Sequence, residues 1–292
     1  MSIKIVRIHP HFVGEVSGVD LSTPISDDER TIIEDGINEH GVLVFRDQNI
    51  TDEQQAGFSQ LFGALEVPDL KTNITKDEDR RLGRFMADIS NLDRGDHILD
   101  AGSRQRMFNL GNRFWHSDSS YRAVPAKLSL LSARVVPRIG GETQFADMCA
   151  AYDALDENTK KEIEGLICEH SLLYSRGRLG FGDFTDEEKA NFKPVLQTLV
   201  RVHPGNGRRS LFLSAHAGKI EGWPTPVARV LLEELTEFAT RTEFVYTHRW
   251  RPFDLVMWDN RRTMHRARRF DDTVEVRDMR RTTVAGEAPT VM

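Results

Sequence analysis

His116 and Asp118 stand two residues apart in the stretch Phe114-Trp115-His116-Ser117-Asp118-Ser119-Ser120, and this spacing constrains the fold more than any other feature. In an extended segment residues i and i+2 project from the same face, so this imidazole and carboxylate converge on one point while Trp115 and Ser117 turn the other way. An imidazole and a carboxylate supply two of the three ligands in a facial triad that holds non-haem Fe(II). The third has to come from a second segment. A fold that completes the set must lay two distant stretches of chain side by side.

The rest of the chain offers the strands for this. Residues 3–8 and 42–45 are β-branched and apolar and read as strands. Between them Ser26 and Glu29 form a capping-box signature that opens a helix over 27–40, and Thr51 with Gln54 starts a helix carrying Phe58, Leu61 and Phe62. From Pro68 to about Asn112 periodic apolar residues give way to Lys, Arg, Asp and Gly. A connection that long predicts a lid over an active site, which we place at 69–110. A buried strand over 128–136 leads to the turn Gly140-Gly141-Glu142-Thr143 and a further strand. Helices are expected near 147–154 and 157–166, a Gly-rich loop at 175–184, and strands at 197–202 and 210–214. Thr225 before Pro226 predicts an N-cap, with Val227, Leu231, Leu235 and Phe238 on the apolar face of a helix ending near Thr240. Strands at 244–249, 254–258 and 279–285 complete the pattern. Many short strands around a few helices predict a mainly β sandwich or barrel, and no repeat or linker divides the 292 residues, so a single domain is expected over 1–292.

Composition narrows the function. A net charge of -6 with both signs interspersed leaves no footprint for nucleic acid. The one basic cluster, which includes Arg261, Arg262, Arg266, Arg268 and Arg269, reads as a solvated surface balanced by Asp259, Asp271 and Asp272. The two cysteines, Cys149 and Cys168, form no C-x-x-C, which argues against a disulfide scaffold or a thiolate metal site and suits a reducing cytoplasm. With no signal-peptide pattern and no membrane-length apolar run, a soluble intracellular protein is expected.

Of the ten histidines, His265 is the best third ligand, because it follows the strand Asp254-Leu255-Val256-Met257-Trp258 far along the chain from His116. Arg277 and Arg281 lie four apart on a segment leading into the strand Arg281-Thr282-Thr283-Val284. The planar fork of an arginine matches a carboxylate, so an inward arginine beside a metal points to an acidic cosubstrate.

In this order of His116, Asp118, His265 and an arginine about a dozen positions later, the chain resembles the taurine dioxygenase superfamily of Fe(II)/2-oxoglutarate-dependent dioxygenases. Further segments carry the likeness nearly end to end and point to its aryloxyalkanoate branch: Val42-Leu43-Val44-Phe45-Arg46, Ala87-Asp88-Ile89-Ser90-Asn91, Ala150-Ala151-Tyr152-Asp153-Ala154-Leu155 and Met257-Trp258-Asp259-Asn260-Arg261. The resemblance implies a double-stranded β-helix (jelly roll) with helices outside. It implies that His116, Asp118 and His265 hold Fe(II), and that Thr143 and Arg277 bind the distal carboxylate of 2-oxoglutarate. It places Arg281, His203, His216 and Lys71 near the substrate. His97 is the nearest residue to a second family lysine that has no clear equivalent here. The implied reaction consumes O2 and 2-oxoglutarate, gives succinate and CO2, and hydroxylates the carbon beside the ether oxygen of an aryloxyalkanoate such as 2,4-dichlorophenoxyacetate, releasing a phenol and glyoxylate. Asp118 favours hydroxylation, since related halogenases lack this carboxylate. The implied partners are a small anionic aromatic substrate and further copies of the chain, with neither nucleic acid nor membrane. Rival readings are an alkylsulfonate or other small-carboxylate substrate, a jelly-roll binding protein without turnover, and a zinc hydrolase on the same three ligands.

Overall fold

The structure is a computed structural model that describes residues 2–67 and 74–291. Its largest sheet has seven strands, in the order Lys4–Arg7, Gly14–Ser17, Val42–Phe45, Leu255–Asp259, Leu128–Val135, Asp278–Val284 and Ala87–Asp88. All neighbours are antiparallel except Gly14–Ser17 beside Val42–Phe45. Val42–Phe45 and residues 255–258 beside it are apolar throughout because both of their faces are covered. Val42, Val44, Val256, Trp258, Leu131 and Met279 turn inward and pack with Phe145. Leu43, Phe45, Leu255 and Met257 turn outward against Ile33, Ile37 and Phe58 of the first two helices and Phe62 just after the second. A strand buried on one side only would alternate apolar with polar; these do not.

Phe145 belongs to the facing sheet, where Thr143–Asp147 runs between Val245–His248 and Thr263–Ala267. The two sheets share the inner core and form the expected jelly roll, open at its edges, with helices outside. A third sheet, Ala217–Ile220, Ile167–His170 and Val195–Thr198, and the pair Val200–Val202 and Arg209–Leu211 build the flank under the helix Thr225–Ala239. No described helix is long and apolar enough to cross a membrane.

Both capping boxes form. The Ser26 hydroxyl accepts from Glu29 N–H and Thr51 from Gln54 N–H, with each N3 side chain reaching back. Other expectations need correction. The supposed loop at 175–184 begins inside a helix, Leu172–Gly177. Thr225 is the first helical residue and Pro224 its cap, so the hydroxyl closes nothing. The strands Gly14–Ser17, Ile167–His170, Ala217–Ile220 and Thr263–Ala267 were not foreseen; each is short, and glycines or charged residues dilute its apolar signal.

The basic cluster is the largest departure. Arg262 has no solvent exposure. Its guanidinium donates to the carbonyls of Asn38 and Glu39 at 3.0 Å, at the end of the first helix, and to both oxygens of Asp147 at 3.1 and 3.2 Å. Asp147 in turn caps the helix Met148–Ala154 by accepting from Cys149 and Ala150 N–H. One side chain therefore closes one helix C-terminus and anchors the N-cap of another. Arg261 is likewise committed, to Asp259 at 2.6 Å. Replacing Arg262 with Met should leave Asp147 buried without its counter-charge and cost about 3–5 kcal/mol of stability, read as a lowered urea midpoint. A loss below about 1 kcal/mol would mean that the pair contributes no more than an exposed salt bridge.

Candidate metal centre

His116 does not lie in a regular strand. It makes one isolated bridge with His265: His116 N–H donates to the His265 carbonyl at 3.0 Å, and His265 N–H donates back at 2.8 Å. His265 sits in the middle of Thr263–Ala267, opposite Phe145. These two backbone bonds place the imidazoles side by side, with centroids 4.2 Å apart. After Ser117 the chain turns, and Ser119 adopts φ 54°, so Asp118 meets the histidines from a turn and not from the expected strand face. Its carboxylate oxygens lie 3.9 Å from His116 Nε2 and 3.8 Å from His265 Nε2. One ligand atom from each of the three residues falls within 4.8 Å of the others, and all three residues are buried.

The surrounding side chains hold this set in a form that suits a divalent metal. His116 Nδ1 lies 2.8 Å from the Phe114 carbonyl, which can only accept, so Nδ1 carries the proton and Nε2 keeps its lone pair. Burial pushes the pKa of His116 down, and burial with neighbouring His116 pushes His265 well down, so both rings are neutral at pH 7. Burial alone would raise the Asp118 carboxyl, but Arg281, the two imidazoles and the Ser129 hydroxyl outweigh it and hold the group well below the usual carboxylate range. Arg281 Nη1 lies 2.5 Å from Asp118 Oδ1, and Ser129 Oγ donates to Oδ2 at 2.7 Å. Asn260 ties this together: its Oδ1 accepts from Asp118 N–H and from Trp258 Nε1, both at 3.1 Å, and its Nδ2 donates to Ser129 Oγ at 2.9 Å. Two neutral imidazoles and one ionised carboxylate on a rigid frame match the donors preferred by Fe(II) and Mn(II).

Two cavities meet at His116 and Arg281. The narrower one is lined by Thr143, Arg277, His265 and Trp258. Arg277 is only 5% exposed and donates to the carbonyls of Ile89 and Gly141 at 3.1 and 3.3 Å. Burial lowers its pKa to about 10, which leaves it cationic, and among the described residues no carboxylate pairs with it. A buried guanidinium without a counter-charge beside the Thr143 hydroxyl is an anion site. Thr143 Oγ1 already accepts from Trp250 Nε1 at 3.0 Å, which turns its proton toward another acceptor. Asn91 sets the arginine backbone, its Oδ1 accepting from Arg277 N–H at 2.8 Å.

The wider cavity, about 200 Å3, is lined by Asp118, Arg281, His216, Tyr121, Phe108 and Arg176 among others. The described part of the expected lid, residues 74–110, supplies Ile74, Met86 and Phe108 to its wall. The segment is tied to the sheet by Arg81, which pairs with Asp88 at 2.8 Å and Asp278 at 2.6 Å. His216 stands at this site, its ring edge-on to Tyr121 at 4.9 Å. His203 does not. It lines neither cavity, is fully buried, and has its Nε2 2.9 Å from Asp259, so it supports the turn that carries Asn260. His97 faces solvent beside Asp93 and lines neither cavity. Lys71 lies outside the described residues.

Asn260, Ser129 and Arg176 escaped the sequence reading as site residues. Asn260 stands within Met257-Trp258-Asp259-Asn260-Arg261, where the resemblance marked the segment but not the role.

Residues 4–283 match the family described as "Taurine catabolism dioxygenase TauD, TfdA family". The chain is 43% identical over 290 residues to an alpha-ketoglutarate-dependent 2,4-dichlorophenoxyacetate dioxygenase of Burkholderia sp. (strain RASC), covering 98% of this chain and 95% of that one. It is 38% identical over 257 residues to the (S)-phenoxypropionate/alpha-ketoglutarate-dioxygenase of Sphingobium herbicidovorans, covering 85% and 83%. The crystal structure of AAD-2 in complex with Mn(II) and N-oxalylglycine superposes with a TM-score of 0.92 at 55% identity over all of both chains.

If the frame works as described, Asp118→Ala should abolish Mn(II) binding in anaerobic calorimetry, whereas Ser129→Ala should weaken it by roughly ten- to a hundredfold through loss of ligand orientation. Wild-type affinity in Asp118→Ala would remove the metal assignment.

Proposed function

Because this chain belongs to the taurine catabolism dioxygenase TauD, TfdA family, we propose that it is an Fe(II)- and 2-oxoglutarate-dependent dioxygenase that hydroxylates the carbon beside the ether oxygen of an aryloxyalkanoate. One observation carries the reaction class: His116 and His265 of the buried His116–Asp118–His265 set line one cavity with the uncompensated guanidinium of Arg277. A dicarboxylic keto acid fits such a cavity at both ends. The substrate class rests on the full-length likeness to enzymes named for aryloxyalkanoates, and on a cavity walled by Phe108, Tyr121, Met86 and Leu172. That wall suits an aryl ring; a compact alkylsulfonate would leave it uncovered.

When bound, Fe(II) supplies the oxidation, in which O2 is divided between 2-oxoglutarate, leaving as succinate and CO2, and the substrate carbon, which gains a hydroxyl. The residues of the chain do the positioning. Arg277 and Thr143 fix the far carboxylate of the keto acid, which orients its other end toward the three ligands. Trp258 and Phe145, 4.7 and 6.1 Å from the His265 ring by centroid, shield that ligand from water. His216, held neutral mainly by burial and then by the charge of Arg176, adds a wall without a net charge. The hydroxylated product is a hemiacetal, which collapses to a phenol and, for an oxyacetate, glyoxylate. The two buried free thiols fit a reducing cytoplasm as the place of action.

Purified protein supplied with Fe(II), 2-oxoglutarate and ascorbate in air should release a phenol from 2,4-dichlorophenoxyacetate or an aryloxypropionate, with matching succinate. Sulfite from taurine, and no phenol from any aryloxyalkanoate, would remove the substrate claim and leave the reaction class. Arg277→Met deletes one half of a charge-assisted pair, a loss of about 2–5 kcal/mol, so the KM for 2-oxoglutarate should rise at least roughly tenfold. An unchanged KM would place the keto acid elsewhere.

A further inference from the structure

The bridge between His116 and His265 has a back as well as a front. Neighbouring residues of an extended backbone project to opposite sides, so Trp115, before the first ligand, and Arg266, after the second, stand behind the metal set. Their side chains stack there, with the guanidinium carbon 4.5 Å from the indole centroid. Both line a third cavity of about 210 Å3, and none of its lining residues lines either cavity that meets at His116.

Four arginines line this cavity, Arg113, Arg178, Arg229 and Arg266, and Glu233 is the one carboxylate among the described lining residues. In a chain of net charge -6 this is a local reversal of sign. Glu233 is taken by Arg178 at 3.3 Å. Arg113 reaches Asp272 at 3.4 Å, but Asp272 is closer to Arg106, at 3.0 Å. Arg229 and Arg266 have no carboxylate partner among the described residues. Each spends only its Nε, on the Gly218 carbonyl at 3.3 Å and on Gln144 Oε1 at 2.8 Å, which leaves the outer nitrogens of both forks free to donate. Burial, then the charge of Arg268, lowers the pKa of Arg266, so the surroundings of this guanidinium are short of anions.

The donors are also held in place. Phe114 lies under Arg178 at 5.0 Å and Tyr174 under Arg229 at 4.7 Å, as Trp115 does under Arg266. Stacked guanidiniums have already lost much of the side-chain freedom that an arriving anion would otherwise have to remove. Ser214, 7% exposed, adds a hydroxyl to the wall. Its Oγ accepts from Ser117 and His216 N–H at 3.5 and 3.3 Å, which leaves its proton for a further acceptor.

We propose that this cavity is a second anion site, which takes a small dianion, an inorganic oxyanion or a short dicarboxylate, on the forks of Arg229 and Arg266. Two uncommitted guanidiniums call for two negative charges, and their planar forks match the paired oxygens of a carboxylate or an oxyanion. Arg178 and Arg113 add to the field without being its main donors. The site is independent of the substrate reading above.

The test is equilibrium dialysis of labelled sulfate and labelled succinate against Fe(II)-loaded protein, without oxygen and at an ionic strength held constant with sodium chloride. It is made in the Arg277→Met protein, where the keto-acid cavity has lost its cation. One equivalent of at least one probe should bind with a Kd of about 1 mM or below, and adding Arg229→Gln should weaken it at least roughly tenfold. Arg229 is exposed, so its loss leaves the fold intact; adding Arg266→Gln should weaken the same equivalent. Tighter sulfate marks the occupant as an inorganic oxyanion, tighter succinate as a dicarboxylate. Failure of both probes to bind, binding unchanged by Arg229→Gln and by Arg266→Gln, or binding lost only with Arg176→Gln of the wide cavity overturns the site and leaves the reaction class untouched.

Discussion

The two main-chain hydrogen bonds between His116 and His265 are the constraint on which this site rests. The bridge sets the depth of both at once and locks the central stretch onto the edge of the three-stranded sheet. Everything else follows by register. With His265 opposite Phe145, Thr143 falls opposite Ala267 at the far end of the same pairing, which brings its hydroxyl into the narrow cavity. On the large sheet Arg281 lies opposite Leu131, an inward residue, so the guanidinium emerges on the side of the ligands. Arg277, four positions earlier and just outside this strand, lines the same narrow cavity as Arg281.

The charges are arranged so that each anion near the ligands has an owner, whereas several cations have no carboxylate partner among the described residues. Asp118 is balanced by Arg281, Asp278 by Arg81 and Asp259 by Arg261. The guanidiniums of Arg277 and Arg176 are left without carboxylate partners, one beside each cavity. Unpaired buried charge lowers stability, and such strain is expected where a ligand is to supply the opposite charge.

How far the residues announced this differs from element to element. Both capping boxes were legible because an N-cap is a local event, settled within four residues. The central strands were legible because burial on two faces leaves a continuous apolar run. Thr263–Ala267 was not, although it carries a ligand: Thr-Met-His-Arg-Ala has one strongly apolar residue, and only pairing with Thr143–Asp147 makes it a strand. The arginines were least legible of all. Arg262, with no exposure, and Arg268, beside the loops, sit in one run of sequence and look alike. A guanidinium is amphipathic enough to be buried wherever the fold supplies carbonyls and a carboxylate, and those came from Asn38, Glu39 and Asp147, far away in the chain. His203 shows the converse. It was assigned to the site by likeness of motif, yet its neighbour in space is Asp259, and its work is to steady the turn behind Asn260.

The same reasoning explains why reaction class and substrate choice were not equally visible. His265 and Thr143 stand on one strand pairing and His116 is bridged to His265, so the register that the core fixes also fixes these positions, and substituting around them disturbs packing that the whole sheet shares. The wide cavity is walled by Ile74, Met86 and Phe108 from a long connection and by Arg176 from a helix of one and a half turns. These elements reach the sheets through one two-residue edge strand, Ala87–Asp88, and a few ion pairs, chiefly Arg81 to Asp278 and Arg106 to Asp272 at 3.0 Å. A wall held in that way can change residue by residue without unsettling the sheets beneath. Within such a fold the chemistry is a property of the strands, and the choice of acid is a property of the surface laid over them.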